Sequence, residues 1–193
     1  MILNDATIRP ALLRKLSRRQ PTPKAVIEEL RVHNGCAIAD VVSLHSEAHC
    51  YEIKGATDKI ERIETQGYYY NRSFRKITLI TTENHIEKAK KLAPDYWGLI
   101  LVETVNSEIR FKHIRGAKNN PKFNKEIAVQ TLWKSEMLSI LNEERHKRKP
   151  RDFLAQLICE TTNKVELNSS IAEMLLSRIN SNTSKLDCFA QQS

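Results

Sequence analysis

Several absences narrow the class of this chain before any motif is considered. No stretch approaches the roughly 18 apolar residues that a membrane-spanning helix needs, and no apolar core with a small-residue cleavage site stands near the N-terminus. A soluble, unexported protein of the cytoplasm is the expectation. Cysteine is scarce: Cys36, Cys50, Cys159 and Cys188 are scattered and form no C-x-x-C pair. That spacing argues against a zinc ribbon or a thiolate-held cluster and fits reduced thiols. Acidic charge is also short, with 23 Asp and Glu against 31 Lys and Arg and a formal net charge of +8. No internal repeat is visible.

A chain of 193 residues can bury a full core, enough for one domain with an appendage or two small ones. The surplus charge is uneven. Arg9, Arg14, Lys15, Arg18 and Arg19 oppose only Asp5 in the first nineteen residues, and "RHKRKPR" at 145–151 forms a second cluster. Such clusters suit a phosphate backbone or an anionic membrane surface, or else serve as a well-solvated face. In "HSEAHC" the neighbours His45, His49 and Cys50 read as a polar hairpin tip, since tetrahedral metal sites usually draw a second ligand pair from elsewhere.

Periodicity assigns the elements. Residues 5–19 read as a basic amphipathic helix, with Ile8, Leu12, Leu13 and Leu16 on one side and the cations on another; "PTP" ends it. "KAVIEEL" reads as a second helix with Val26, Ile27 and Leu30 inward, Glu28 pointing away, and Glu29 flanking the stripe at about 100° per residue. Two strand-like runs follow, "AIADVVSL" and "AHCYEIK", then a helix from about Asp58 to Asn71 and the strand "KITLITT". "NHIEKAKKLAP" is a further helix, and "WGLILVE" and "EIRFKHI" are strands divided by "VNS". Beyond residues 116–124 the pattern is helical only: "KEIAVQTLWKSEMLSILNEER", "RDFLAQLICETT" and "VELNSSIAEMLLSRI", with a last dozen polar residues expected to fray. The organisation is a basic helix at 1–23, an α/β core at 24–115 and a helical region at 116–193. The last two helices make a poor helix-turn-helix reader, because their loop has no glycine turn and the second helix is not basic at its start. They are expected to pack on the core and leave the basic run to track phosphates.

The chemistry concentrates in "IADVVSLHSEAHCYEIKG", residues 38–55. If the hairpin turns through His45, Ser46 and Glu47, Leu44 faces Ala48, Val42 faces Cys50 and Asp40 faces Glu52, with Cβ atoms roughly 4.5–5.5 Å apart. Alternation puts Lys54 on the face of Glu52, at the open end of an apolar patch made by Val42, Leu44 and Cys50. A turn one residue shorter or longer would change this pairing. Two carboxylates that close repel unless a cation lies between them. Magnesium prefers oxygen ligands and commonly uses one or two carboxylates, so Asp40 and Glu52 could hold it while a substrate phosphate completes the shell. Lys54 could then position the attacking water, help generate hydroxide or stabilise charge growing on the phosphate. The plainer alternative is an exposed cross-strand ion pair. In the next helix Ile60, Ile63, Gly67, Tyr70 and Phe74 form one stripe, with Gln66 on its edge one turn before Tyr70, so both can reach the sheet.

A helix with an inward acid, a hairpin with an acid on one strand and E-x-K on the next, then a helix and a strand, resembles the PD-(D/E)XK nuclease superfamily, the restriction-endonuclease-like fold. "AD" at 39–40 stands where that pattern has "PD", and "EIK" at 52–54 where it has (D/E)XK. The resemblance covers residues 24–82 and is nearest to small bacterial proteins that join such a core to a helical C-terminal part with an "LW-x-x-E" segment like Leu132, Trp133 and Glu136. It implies a restriction-endonuclease-like mixed sheet flanked by helices, with an all-helical C-terminal extension. It further implies Asp40 and Glu52 as metal ligands, Ile53 as a ligand through its carbonyl, Lys54 as the catalytic lysine and Glu29 as the acid of the first core helix. Gln66 and Tyr70 are similar to the Q-x-x-x-Y motif of RecB-like and lambda-exonuclease-like members, where these residues support the site and contact DNA; a buried tyrosine with an edge glutamine is the plainer reading. No cysteine set matches the relatives that carry an iron-sulfur cluster. The resemblance thus implies a magnesium-dependent deoxyribonuclease, manganese substituting. DNA would be the partner, met by Arg14, Lys15, Arg18, Arg19, Lys147, Arg148, Lys149 and Arg151; no membrane is implied and a homodimer is allowed. The rival expectations are a non-cleaving DNA-binding module on the same fold and an interaction component of defence or adaptor type.

Overall fold

The structure, a computed structural model, describes residues 2–142 and 144–190. Six strands lie side by side in chain order: β1 (Ala25–Val32), β2 (Ala37–Leu44), β3 (Ala48–Lys54), β4 (Lys76–Thr82), β5 (Gly98–Val105) and β6 (Glu108–Arg115). The first three run antiparallel, β3, β4 and β5 run parallel, and β6 returns antiparallel. The parallel steps need crossovers, supplied by α2 (Arg62–Ser73) and α3 (Glu83–Leu92). Their apolar residues, among them Ile63, Tyr70, Ile86 and Ala89, pack on one face of the sheet. The other face is covered by α1 (Asp5–Ser17), whose Ile8, Leu12 and Leu16 meet Val41, Tyr51, Ile53, Ile80, Ile100 and Val102. The fold is therefore α/β, with a mixed sheet flanked by helices.

The hairpin has the expected register up to Val41, but the expected pair of Asp40 with Glu52 does not form, because Asp40 leaves the ladder and its carboxylate accepts the Ile53 N–H. Leu44 pairs with Ala48, Val42 with Cys50 and Val41 with Tyr51. The turn is closed by His45 N–H on the Glu47 carbonyl at 3.1 Å. The Glu47 carboxylate also accepts from Asn168 at 2.9 Å and pairs with Arg75 at 3.3 Å, so more distant parts of the chain hold the turn. His49 and Cys50 leave β3 on opposite faces: Cys50 belongs to the core under α2, whereas His49 stacks on Tyr51 at 4.4 Å. The polar tip thus does not converge on a metal.

One element differs from its sequence reading. "KAVIEEL" is not a helix but the edge strand β1, paired to β2 from Ala25↔Leu44 to Val32↔Ala37. Glu29 has φ 54 and is missing from the paired residues. This left-handed step shifts the pleat, so that Ala25 and Ile27 before it and Leu30 and Val32 after it all face the same core. Apolar positions spaced by three imitate a helical stripe. The cause is a kink in a strand.

The C-terminal region is helical, but its first stretch is broken. In place of one helix over 125–145 there are α4 (Lys125–Ala128), a 3-10 turn, and α5 (Lys134–Leu141), with Leu132 and Trp133 extended between them. Glu136 accepts the Trp133 N–H at 2.6 Å and two guanidinium hydrogen bonds from Arg178 at 2.7 and 2.6 Å, and Arg178 lies 4.1 Å over the Trp133 ring. The break depends on a partner far along the chain, in α7 (Lys164–Ala190), which explains why local periodicity misses it. With α6 (Arg151–Thr161), these helices bury Leu132, Met137, Leu154, Ile158, Leu167 and Leu175 in the same core as α2. α7 carries helical backbone into the stretch expected to fray, and residues 191–193 lie outside the described residues.

The end of β3 is clamped by the N-terminal segment. Ala56 N–H donates to the Leu3 carbonyl at 2.7 Å, and a Cβ on Gly55 would sit 2.7 Å from Asn4 Cα and 2.8 Å from the Leu3 oxygen. Backbone that close cannot swing aside as a side chain can. Gly55→Ala is expected to cost about 1–3 kcal/mol of stability in urea unfolding, the range for overpacking a well-filled site. An unchanged midpoint would show that the segment is free to lift.

Candidate active site

Strands β2 and β3 part company where the acids stand. Their paired residues end at Val41↔Tyr51. One step further the Asp40 carboxylate takes the place of a strand partner, accepting the Ile53 N–H through Oδ2 at 2.8 Å. Because side chains alternate along β3, Cys50, Glu52 and Lys54 turn toward α2, while Tyr51 and Ile53 turn toward α1. Glu52 and Lys54 form an ion pair through Oε1 and Nζ. The Lys54 carbonyl accepts from Thr81 Oγ1 on β4 at 3.0 Å, which fixes the strand end under its side chain. The group sits at the carboxyl end of β3, where the sheet changes from antiparallel to parallel pairing.

Burial differs from the sequence expectation of an open-ended patch. Side-chain exposure is 22% for Asp40, 0% for Glu52 and 6% for Lys54. Glu52 Oε2 is buried with no hydrogen-bond partner, and so is Gln66 Oε1. Burial, and then the charge of Asp40, push the Glu52 carboxyl up to about 7, against the opposing pull of Lys54. Asp40 is raised as well, mainly by burial, with the Ile53 N–H and Lys54 opposing.

From α2, Tyr70 donates its hydroxyl to the Ile38 carbonyl at 2.6 Å and accepts from Gln66 Nε2 at 3.3 Å. The Tyr70 hydroxyl is pushed up by burial and by the nearby charge of Glu52. The two residues are brought to the sheet as the helical spacing requires, and they wall the acids rather than point into solvent. Tyr68 is exposed under the Arg72 guanidinium, 3.6 Å away, and Tyr69 packs on His33 at 5.3 Å.

Glu29 does not join the group as an inward acid. It stands opposite Asp40 in the β1–β2 register, but its side chain is 72% exposed, more than the 50% of Glu28. Both carboxylates lie 3.8 Å from Arg9. Arg9 is the residue that sequence reasoning counted only as surplus charge. It donates to the Asp40 carbonyl at 3.2 Å, lies 3.7 Å from Asp40 Oδ1 and pairs with Asp5 at 3.1 Å. The signal in the sequence is the i,i+4 spacing of Asp5 and Arg9 on α1, which pre-orients the guanidinium.

The basic residues fall into two places. Arg14 and Lys15 lie in the last turn of α1 and Arg18 and Arg19 just past it, next to β6. Of the 145–151 run, Lys147 and Arg148 are exposed and the Lys149 ammonium sits 5.0 Å over Phe153. Arg151 departs from its expected role: its guanidinium donates to the Leu132 and Gln130 carbonyls and to Asn34 Oδ1, so it ties α6 to the rest of the fold instead of facing a phosphate.

The donor set suits a hard divalent ion. Two carboxylates and a main-chain carbonyl are oxygen ligands of the kind magnesium takes, and Glu52 Oε2 makes no hydrogen bond, the neighbouring Tyr70 hydroxyl being given to the Ile38 carbonyl. Among the described residues no three His, Cys, Asp or Glu side chains converge on a metal position, so water or a substrate would have to complete any shell.

The fold is of the mixed α/β class, and sequence comparison places the chain in a family. The chain belongs to the bacteriophage P4 protein cII family, whose model matches residues 2–191. It is 26% identical over 143 residues to Protein cII of Enterobacteria phage P4, covering 74% of this chain and 54% of that protein. The chain spans about half the length of that curated relative. A solved structure of a protein of unknown function from Silicibacter pomeroyi is 19% identical, with a TM-score of 0.35 over 65% of this chain and 82% of that one. No described helix is long and apolar enough to cross a membrane.

The raised Glu52 pKa has a measurable consequence. The folded protein holds this proton more tightly than the unfolded chain, whose value is 4.5. The stabilisation is full below that value and is lost as pH rises through about 7. Relative to Glu52→Gln, which does not titrate, the wild type should therefore lose about 3 kcal/mol between about pH 4.5 and pH 8 in denaturant titrations. A difference independent of pH would mean that Glu52 stays ionised throughout.

Proposed function

We propose that this chain is a metal-dependent nuclease that hydrolyses phosphodiester bonds of DNA, with its chemistry at Asp40, Glu52 and Lys54. One observation carries the reading: Glu52 is fully buried beside a second carboxylate, yet one of its oxygens has no partner. Buried charge stabilises a fold only when its hydrogen bonds are satisfied, and a site kept for stability alone would be better filled by apolar residues. The element order supports the reading too, with a helix, an antiparallel β1–β2–β3 meander, a helix and a parallel strand. That order agrees with the PD-(D/E)XK pattern once α1, not "KAVIEEL", is taken as the first helix.

In this reading Asp40, Glu52 and the Ile53 carbonyl hold a magnesium ion. Bound there, the ion would supply positive charge to the phosphate oxygens as the reaction proceeds. The Lys54 ammonium, which has donors and no acceptor, orients the attacking water and stabilises the charge that grows on the phosphate. Tyr70 and Gln66 position the wall against which Glu52 is held. Exposed cations of α1, with Lys147, Arg148 and Lys149, supply phosphate contacts.

The burial of Glu52 and Lys54 favours a second reading, in which the pair only anchors β3 in a nucleic-acid-binding module that does not cut. Incubation with supercoiled, linear and single-stranded DNA separates the two. The nuclease reading expects products in magnesium or manganese, none in EDTA, and about a hundred-fold slower cleavage by Asp40→Asn and by Glu52→Gln, each assayed at a temperature where circular dichroism shows it folded. Wild type that leaves all substrates intact in both metals, or variants that cut as fast as wild type, would contradict it.

A further inference from the structure

One concavity of the molecule lies away from the acids. It is a groove of about 1220 Å³ between α1 and the β5–β6 hairpin. Arg14, Lys15, Arg18 and Arg19 line one wall, and Arg110 and His113 the other. Glu108 is the one acid among the described residues that line it. Asp40, Glu52 and Lys54 are not among the residues that border it.

The charge of this groove is felt by its surroundings. His113 is held below its ordinary value by burial and then by Lys15 and Arg19, and His45 by burial and Arg19. His49 is driven down to about 3 by burial, then Arg19 and Lys76. The permanent cations carry the groove's charge, with Glu108 the one carboxylate among its lining residues and Glu103 standing opposite Arg110 across the β5–β6 ladder. A concave surface with cations on both walls and almost no compensating acid concentrates anions.

The aromatic rings narrow the class of anion contact. Phe111 lies beneath the Lys15 ammonium at 5.6 Å, and Tyr51 is buried with its hydroxyl 3.4 Å from Arg19. Tyr51 is stacked on His49 and Phe111 is half-buried under a cation, so the groove lacks the row of open rings that usually holds unpaired bases in such a channel. None of the exposed large apolar side chains, such as Ile38, Trp133 or Val165, lines the groove. A bilayer surface would need such residues to enter the headgroup boundary. We infer that the groove between α1 and β6 binds the phosphodiester backbone of nucleic acid without reading its sequence, separately from the acids of β3.

This deepens the nuclease reading and rests on it for the choice of nucleic acid among polyanions. Binding measured in EDTA does not depend on cutting, so each can fail alone. The probes are fluorescein-labelled DNAs of two unrelated sequences, titrated by anisotropy with the full chain over a range of salt. Arg14→Gln/Arg18→Gln/Arg110→Gln changes three exposed side chains on both walls. It should weaken binding at least about tenfold at physiological salt, equally for both DNAs, and lower the log–log salt slope by roughly two to three. Arg110→Glu alone, on the wall away from α1, should weaken both DNAs in the same way and serves if the triple variant melts early. An unchanged slope in a folded variant, a loss confined to one sequence, or capture by phosphatidylserine vesicles without DNA binding would overturn the inference.

Discussion

The burial of Glu52 against Lys54 is the constraint around which the rest of the molecule is arranged. Removing two charges from water costs several kcal/mol each, and their attraction repays this only with good geometry and complete hydrogen bonding. Four separate parts of the chain act to hold the pair. Thr81 fixes the Lys54 carbonyl, Leu3 and Asn4 close over Gly55, Tyr70 and Gln66 wall the face under α2, and Arg9 reaches across to Asp40. Even so, one carboxylate oxygen is left without a donor. The arrangement is expensive and incomplete as a fold anchor, and it is consistent as a place for a cation and a phosphate.

β3 divides the molecule's work by simple alternation. Glu52 and Lys54 face the side packed by α2 and the C-terminal helices, while Tyr51, just before Glu52, faces α1 and borders the basic groove. On the proposed reading, chemistry and backbone binding are therefore separated by the thickness of one strand. The two surfaces meet at α1, whose Arg9 belongs to the acids and whose Arg14 to Arg19 belong to the groove. Membership of the bacteriophage P4 protein cII family extends across nearly the whole chain, so the C-terminal helices belong to the family unit as much as the sheet does.

Much of this was legible where a local rule decides the outcome. The β2–β3 register followed from the turn through His45–Glu47, and the Gln66/Tyr70 pair followed from helical spacing. What was not legible depended on distant partners or on one backbone angle. Glu29 at φ 54 shifts a strand's pleat so that Ile27 and Leu30 look helical, and no side-chain pattern marks that step. The break at Trp133 needs Arg178, and the diversion of Arg151 from solvent to the Leu132 carbonyl needs the folded chain. Arg9 was visible as a charge, but its target was not, since Asp40 is 31 positions away.

The most direct test of the central claim is the location of a manganese ion by anomalous scattering in crystals of the full chain, without DNA. The account predicts one peak in contact with the Asp40 and Glu52 carboxylates, with Lys54 drawn off Glu52 to accommodate it. Saturating manganese that leaves the Glu52–Lys54 pair closed, with no peak at Asp40, would contradict it.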